Sequence, residues 1–364
     1  MVNESGVERR PHIGISAGDP AGIGPEICVK ALCKSDIYEK AIPVVYADRI
    51  VLEDAVEVTG KNFRLHQISD AREAAGIAGT IDYIGTGGIT GPDDYRYGKT
   101  GVKSGEAAFG YVLRAINDAM AKKTAAVVTC PISKEAINLA GHEYAGHTEI
   151  FAHYTNVKNY GMLLSARSAS RRLNVIHVTT HVPLRKACGI ITCDRVYNTI
   201  RLAGEALRLM GGSTSRIAVA GLNPHSSENG LFGSEEEDSI IPAINRARGE
   251  GFDVTGPVPP DTVFVKALGG LFDIVVAMYH DQGHIPLKLC GFTLESGGAS
   301  RIGGVNATIG LPVIRTSVDH GTAFDIAGKN LASEESLLDA IDMAVTFYLN
   351  SAAFAIASGI QPCN

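Results

Sequence analysis

The chain has no Cys-x-x-Cys pair, no tract of lysine and arginine longer than a few residues, and no apolar stretch long enough to span a bilayer. Each gap argues against a class of function. The seven cysteines are Cys28, Cys33, Cys130, Cys188, Cys193, Cys290 and Cys363. Their spacings do not suit a zinc cluster, and several sit among apolar residues, as small buried thiols do in a reducing cytosol. With a formal charge of -6, bulk attraction to nucleic acid or to an anionic membrane is not expected. An anionic substrate would be met by individually placed lysines and arginines. The N-terminus lacks an apolar signal core, residues before Pro11 read as a polar tail, and a cytoplasmic location is expected.

What is present is ordinary globular composition, 45% hydrophobic and 20% charged, in 364 residues, enough for two domains. The 41 glycines fit an α/β protein rich in tight turns and close backbone contacts. Apolar runs alternate with helical periodicity. HIGIS, AIPVVYA, AAVVTCP, LNVIHVTTH, RIAVAGLNPH, DIVVAMYH and LPVIRTS read as strands of a mostly parallel sheet. Helices are expected around Ile50 to Val58, in SGEAAFGYVLRAINDAMAKK, CDRVYNTIRLAGEALRLMG and EEDSIIPAINRARGEG, and in a closing ESLLDAIDMAVTFYLN. Residues 61–100 are mixed. A domain break is expected after Pro131, where a strand gives way to a polar, glycine-containing segment.

Three of the apolar runs lead to histidines: His181, His225 and His280. Open α/β sheets bind ligands beyond the carboxyl ends of their strands. Neutral imidazole binds divalent metals through one nitrogen while a second group fixes the other. Three such ligands leave positions for substrate oxygens or water. Asp281 and Asp261 are candidates to support a ligand or to transfer a proton. Each histidine taken alone is better read as a polar cap on a strand end. Their recurrence at one structural station favours the metal.

His147 and Thr148 occur in AGHTEI, where Thr148 is expected to open a helix and both could donate to an anion. Lys288 lies in the apolar segment HIPLKLCGF, costly for a lysine unless paired or tuned for proton transfer. Arg315 follows LPVI, and its planar fork suits phosphate or carboxylate. Asn306 could orient a hydroxyl. For Lys288 and Arg315 the plainer alternatives are exposure at strand ends or internal ion pairing. GDPAGIGPE, from Gly18 to Glu26, lacks the lysine and hydroxyl of a P-loop and departs from the dinucleotide fingerprint. It reads equally as a close approach to a ligand or as a strand-to-helix turn with Pro25 in the first helical turn.

In order, GDPAGIGPE, GHTE, THVPL, GLNPH, YHDQG, GVNATIGLP and RTSVDHGTA resemble the PdxA family, the 4-hydroxythreonine-4-phosphate dehydrogenases, over nearly all of the chain. The resemblance implies two α/β/α domains with a central cleft, similar to the isocitrate and isopropylmalate dehydrogenase fold. One would span 1–131 plus 311–364 and carry dinucleotide-binding elements. The other would span 132–310 and carry metal, substrate and dimerisation elements. It also implies His181, His225 and His280 as ligands of one divalent metal (Zn, Mg, Mn or Co), the last supplied by the partner subunit of a homodimer. His147, Thr148, Lys288, Asn306 and Arg315 match the family's substrate-binding positions.

DHGTAFDIAGK resembles the adenosine-binding loop of those dehydrogenases, making Asp319, His320, Gly321 and Asp325 cofactor candidates. An Asp325 carboxylate would accept from ribose hydroxyls and repel a 2′-phosphate, favouring NAD over NADP. Residues 292–303 form an insertion relative to the pyridoxine-pathway enzymes. They look more like a second branch, which oxidises D-threonate or D-erythronate 4-phosphate to dihydroxyacetone phosphate and CO2. Lys288 would be the base, with Asp281 or Asp261 as relays. Two other classes compete. A metal-dependent hydrolase or aldolase would use the same imidazoles without the Asp319–Lys329 loop. A binding protein would hold a phosphoacid without turnover.

Overall fold

The computed structural model describes residues 10–168, 171–212, 214–294 and 300–357. The chain divides into two units, Met1–Lys158 with Leu311–Asn364, and Asn159–Gly310. The first break therefore falls after Lys158, later than Pro131. Residues 134–154 stay with the first unit because helices Lys134–Leu139 and His147–Tyr154 both pack on helix Val102–Met120. There the His142 ring also stacks on Phe109, with centroids 3.6 Å apart.

The first unit opens with β1 (His12–Ser16), β2 (Ile42–Tyr46), β3 (Arg64–Gln67), β4 (Thr80–Ile84) and β5 (Ala126–Thr129). The second unit carries β6 (Gly161–Arg167), β7 (Arg172–His177), β8 (Ile217–Ala220), β9 (Val254–Val258) and β10 (Ile274–Ala277). It continues with β11 (Phe292–Leu294), β12 (Ser300–Ile302) and β13 (Val305–Ile309). The chain then returns to the first unit as β14 (Ile314–Val318).

In the first unit the strand order is β3-β4-β2-β1-β5-β14, with every pair parallel. Such strands are covered on both faces, which is why IGIS, PVVY and AVVT are unbroken buried runs. In the second unit the order is β13-β6-β7-β10-β8-β9. The β13–β6 and β6–β7 pairs are antiparallel, and the rest are parallel. Leu164, Val175, Phe264, Val275 and Leu287 belong to its apolar core.

The strands that sequence patterning missed are β3, β4, β6, β9, β11, β12 and β13. β3 is largely exposed, and β9 carries glycine and proline, so neither shows a buried or alternating run. The insertion folds as a two-stranded antiparallel arm, with Phe292 opposite Ile302 and Leu294 opposite Ser300; its residues 295–299 lie outside the described set. Of the described cysteines, all free, Cys28 and Cys130 are the buried pair, whereas Cys33 and Cys188 are exposed. Among the described residues no helix is long and apolar enough to cross a membrane.

Every residue from Ile13 to Val29 is buried. GDPAGIGPE is thus a packed strand-to-helix turn, with Pro25 in the first turn of helix Gly24–Leu32. Gly18 needs its φ of +77°. A methyl group there would also lie 2.2 Å from the carbonyl oxygen of Pro131. Gly105, in helix Val102–Met120, is a second close approach: a methyl group there would lie 2.1 Å from the Ala136 carbonyl oxygen. Gly105→Ala should accordingly destabilise the protein by about 1–3 kcal/mol, although alanine is the better helix former. Urea unfolding reads this directly, and an unchanged or raised midpoint would show that the two helices can separate without cost.

Candidate active site

The residues expected in a site divide between the two units. In the first, Gly146 caps helix His147–Tyr154, so His147 and not Thr148 opens it. Thr148 sits half-buried in the first turn. An extended glycine carries the chain into the helix, and no side-chain cap is made. Burial holds the His147 imidazole pKa well below 6.5, and the charges of Arg315 and Lys134 add to the effect. Its Nε2 is buried without a protein hydrogen-bond partner. A neutral imidazole beside two cations is the kind of hydrogen-bonding group an anion site would use.

Arg315, on β14, is only 3% exposed. Its Nη2 donates to Thr129 Oγ1 at 2.9 Å, and its guanidinium carbon lies 5.7 Å from the Phe151 ring centre. Burial lowers its pKa to about 10, opposed by Glu149. It still carries its charge at neutral pH, and a buried cation of this kind favours an anion nearby. Asp19, in the buried turn, is pushed up to about 6 by burial while accepting from Ala21 N at 2.9 Å.

In the second unit the three histidines lie beyond the strands rather than on them. His181 is four residues after His177, the end of β7. His225 is five after Ala220, the end of β8. His280 is three after Ala277, the end of β10, and opens helix His280–Gly291. Lys288, half-buried, is on that same helix, which continues through Pro286. β7 and β10 are parallel neighbours, and the His181 and His280 ring centres are 5.5 Å apart.

Two imidazoles on one ion, at metal–nitrogen distances of about 2.1 Å and a tetrahedral angle, place their ring centres about 5 Å apart. The pair therefore fits a shared cation. His280 Nδ1 lies 2.6 Å from Asp281 Oδ1, the kind of carboxylate contact that would orient an imidazole to ligate through Nε2. Among the described residues no group of three His, Cys, Asp or Glu is spaced to hold a metal, so His225 does not join the pair within one chain.

His225 begins a run of five residues with left-handed φ, His225 to Asn229, with φ between 44° and 64°. Such backbone costs roughly 1–2 kcal/mol per residue, and strain of this kind collects at functional sites. The buried Glu236 carboxylate holds the turn, accepting from Leu222 N, Asn223 N and Asn223 Nδ2, each at 2.8 Å. Asp261 is exposed in the turn before helix Val263–Leu268. Asn306, on β13, buries an Oδ1 that has no protein partner.

Two further histidines escaped sequence reasoning. His284 stacks on His280 with ring centres 3.6 Å apart, and its Nδ1 donates to the His280 carbonyl at 3.0 Å. His177 lies beneath, 4.7 Å from His284 between ring centres and 3% exposed. Burial first, then the neighbouring imidazoles, lower His284 to about 4 and His177 to about 3. Gly283 permits this approach, since a methyl there would lie 2.3 Å from His177 Nε2. The spacing of His280 and His284, four apart on a helix, was the available signal. His177 left none, because its run reads as plain strand.

The loop after β14 is in the first unit. Asp319 N donates to Ser336 Oγ at 3.2 Å, and His320 Nδ1 lies 3.0 Å from the Gly321 carbonyl. Gly321 and Asp325 are exposed. The loop closes as a turn, with Ile326 N bonded to Ala323 O and Lys329 N to Ile326 O.

The family model described as pyridoxal phosphate biosynthetic protein PdxA matches residues 39–344, and the chain belongs to that family. It is 47% identical to the D-threonate 4-phosphate dehydrogenase of Cupriavidus necator, over 91% of this chain and 95% of that one. The crystal structure of 4-hydroxythreonine-4-phosphate dehydrogenase from Klebsiella pneumoniae is 42% identical, covers 93% of this chain and 98% of its own, and superposes with a TM-score of 0.81. A β-decarboxylating dehydrogenase from Thermococcus kodakarensis, 14% identical, covers 96% of this chain and 87% of its own with a TM-score of 0.52. It shares the fold.

The buried histidine gives a pH dependence with a fixed sign. Below about pH 6.5 the unfolded chain protonates His177, whereas the folded chain does so only near pH 3. Stability should fall as pH drops through that window. Against His177→Gln, the wild type should lose about 2 kcal/mol between pH 8 and pH 5, read by urea unfolding at each pH. Parallel curves for the two proteins would show that the folded state already accommodates the imidazolium.

Proposed function

We propose that the protein is a metal-dependent, NAD-linked dehydrogenase that oxidises and decarboxylates a four-carbon hydroxy acid 4-phosphate, D-threonate or D-erythronate 4-phosphate. The products are dihydroxyacetone phosphate and CO2. The observation that carries this reading is the His181–His280 pair, 5.5 Å between ring centres, with Asp281 on His280 Nδ1. Family membership and the identity to the Cupriavidus enzyme support the substrate class.

The residues take distinct tasks. Arg315 and His147 receive the phosphate or the carboxylate: the first supplies a buried charge, the second a neutral donor. Lys288, one turn beyond His284, takes the C3 hydroxyl proton as the C3 hydrogen leaves as hydride. Asp281 is occupied by His280, which assigns it to orientation rather than to proton removal. Asn306, with its unpartnered buried oxygen, orients a substrate hydroxyl. His181, His225 and His280 would hold the divalent ion, which supplies a lowered alcohol pKa and charge stabilisation for the enolate left by CO2. NAD accepts the hydride, and the exposed Asp325 favours it over NADP by repelling a 2′-phosphate.

Three ligands per ion call for a homodimer in which one of the three imidazoles comes from the partner chain. Ile285 and Leu289, four apart on the helix that carries His280, are 59% and 79% exposed and offer a second copy an apolar face.

The experiment is a parallel assay of D-threonate, D-erythronate and 4-hydroxythreonine 4-phosphates with NAD and NADP, under defined metal. One of the two sugar-acid phosphates should give the highest kcat/KM, with NADH and dihydroxyacetone phosphate formed in equal amounts. Preference for the amino acid phosphate would move the enzyme to the other branch. Product without reduced nucleotide would make it a hydrolase or aldolase. His181→Ala should lower kcat/KM at least ~100-fold and remove the response to added metal. Full turnover by that variant in metal-free buffer sinks the metal assignment.

A further inference from the structure

The turn Gly18–Glu26 is buried, and it touches the loop to which the proposal above assigns the dinucleotide. Ile23 N donates to the Thr322 carbonyl at 3.0 Å, and a methyl on Gly22 would lie 3.0 Å from Thr322 Cβ. Farther along, Glu26 and Lys30 grip the far end of the same loop. Glu26 Oε1 accepts from Ala332 N at 2.9 Å and from Lys30 Nζ at 2.8 Å, and Lys30 Nζ also donates to the Ala332 carbonyl at 2.7 Å. Both side chains are largely buried, 3% and 13% exposed. The loop from Thr322 to Ala332 is thus fixed at its two ends by one strand-to-helix unit.

Its middle is held by a different segment. Gly98 N donates to the Ala21 carbonyl at 2.8 Å, which seats residues 95–98 on the same turn. Gly98 has φ +73°, and a methyl there would lie 2.6 Å from the Phe324 carbonyl oxygen. Gly328 also has φ +73°, and a methyl there would lie 2.6 Å from Cδ2 and 2.8 Å from Cγ of Tyr97. The Tyr97 side chain therefore packs closely against the backbone of Gly328, three residues from Asp325. Tyr97 is itself braced: Tyr95 lies edge-on to it with ring centres 5.6 Å apart, and Tyr95 Oη donates to Asp54 Oδ2 at 2.5 Å.

We propose that Tyr97 is a positioning residue for the dinucleotide, acting through Gly328 to hold the Asp319–Lys329 loop, on a cradle that the GDPAGIGPE turn and Lys30 complete. This gives the glycine-rich motif a task that its sequence does not suggest: it supports the cofactor loop from behind and touches no phosphate. A loop held in one conformation before binding loses little freedom on binding, and affinity rises accordingly. The proposal rests on the assignment of Asp319–Lys329 as the dinucleotide loop, and its test separates the two.

NADH binding to the full-length protein is titrated by nucleotide fluorescence for wild type, Tyr97→Ala, Tyr97→Phe, Asp325→Ala and the Tyr97→Ala/Asp325→Ala double variant. Tyr97→Ala should raise the NADH Kd about tenfold, and Tyr97→Phe, which keeps the ring, should restore it. In turnover, Tyr97→Ala should raise the KM for NAD while kcat and the phosphoacid KM stay within about twofold of wild type. The double variant should bind little worse than Asp325→Ala alone, because Tyr97 acts through the loop that Asp325 sits on.

Wild-type affinity in Tyr97→Ala, with affinity lost in Asp325→Ala, overturns the positioning role and leaves the loop assignment standing. Wild-type affinity in both single variants overturns the loop assignment and the proposal with it. Strict additivity in the double variant, or failure of phenylalanine to restore binding, assigns Tyr97 a separate contact and also overturns it. Should Tyr97→Ala not fold, Tyr97→Leu replaces it, filling the space without the flat ring, with the same expected outcomes.

Discussion

Parallel strands covered on both faces leave no room for polar chemistry inside the sheet. Backbone groups there are spent on the ladder, and side chains face helices on either side. Functional groups are displaced to the loops that follow the strands. In each unit this is where the proposed site residues mostly stand. His181, His225 and His280 come three to five residues beyond the ends of β7, β8 and β10, and Asp319–Lys329 follows β14 directly. Arg315 and Asn306, on β14 and β13 themselves, are exceptions. The Arg315 side chain is buried, and burial together with Thr129 holds the guanidinium in one place.

Loops that carry function have to be made rigid by something, since backbone in a loop lacks a ladder. The two units solve this differently. In the second, one buried carboxylate, Glu236, takes three hydrogen bonds from Leu222 and Asn223, just before the five residues of left-handed backbone that begin at His225. His177 fills the space beneath helix His280–Gly291, where only a glycine at 283 lets the ring approach. In the first unit, close packing falls at glycines: Gly22 sits against Thr322, Gly98 against the Phe324 carbonyl and Gly328 against the Tyr97 side chain. A run of glycines that resembles a phosphate cradle is, in this fold, a packing device.

The sequence disclosed the α/β alternation and the family. Long apolar runs such as PVVY and AVVT, and the regular stripe of the helix Glu335–Ala357, are local signals that hold wherever they are placed. The ordered motifs from GDPAGIGPE to RTSVDHGTA carried family membership without any coordinate. Patterning failed where the local signal was absent: β3 is exposed, β9 contains glycine and proline, and Pro286 disguises a helix that carries Lys288.

The histidine triad was legible as residue types and not as geometry. Sequence placed all three at strand ends. Only the parallel pairing of β7 with β10 brings His181 to His280, while His225 stays apart on a strained turn of its own. His177 and His284 were invisible or passed over, because their roles arise from burial and stacking, which no spacing along the chain records. The chain's own residues thus determined which chemistry is available and which family the protein belongs to. Tertiary structure alone decided which of those residues meet, because convergence depends on strand order and on close backbone contacts between segments distant in sequence.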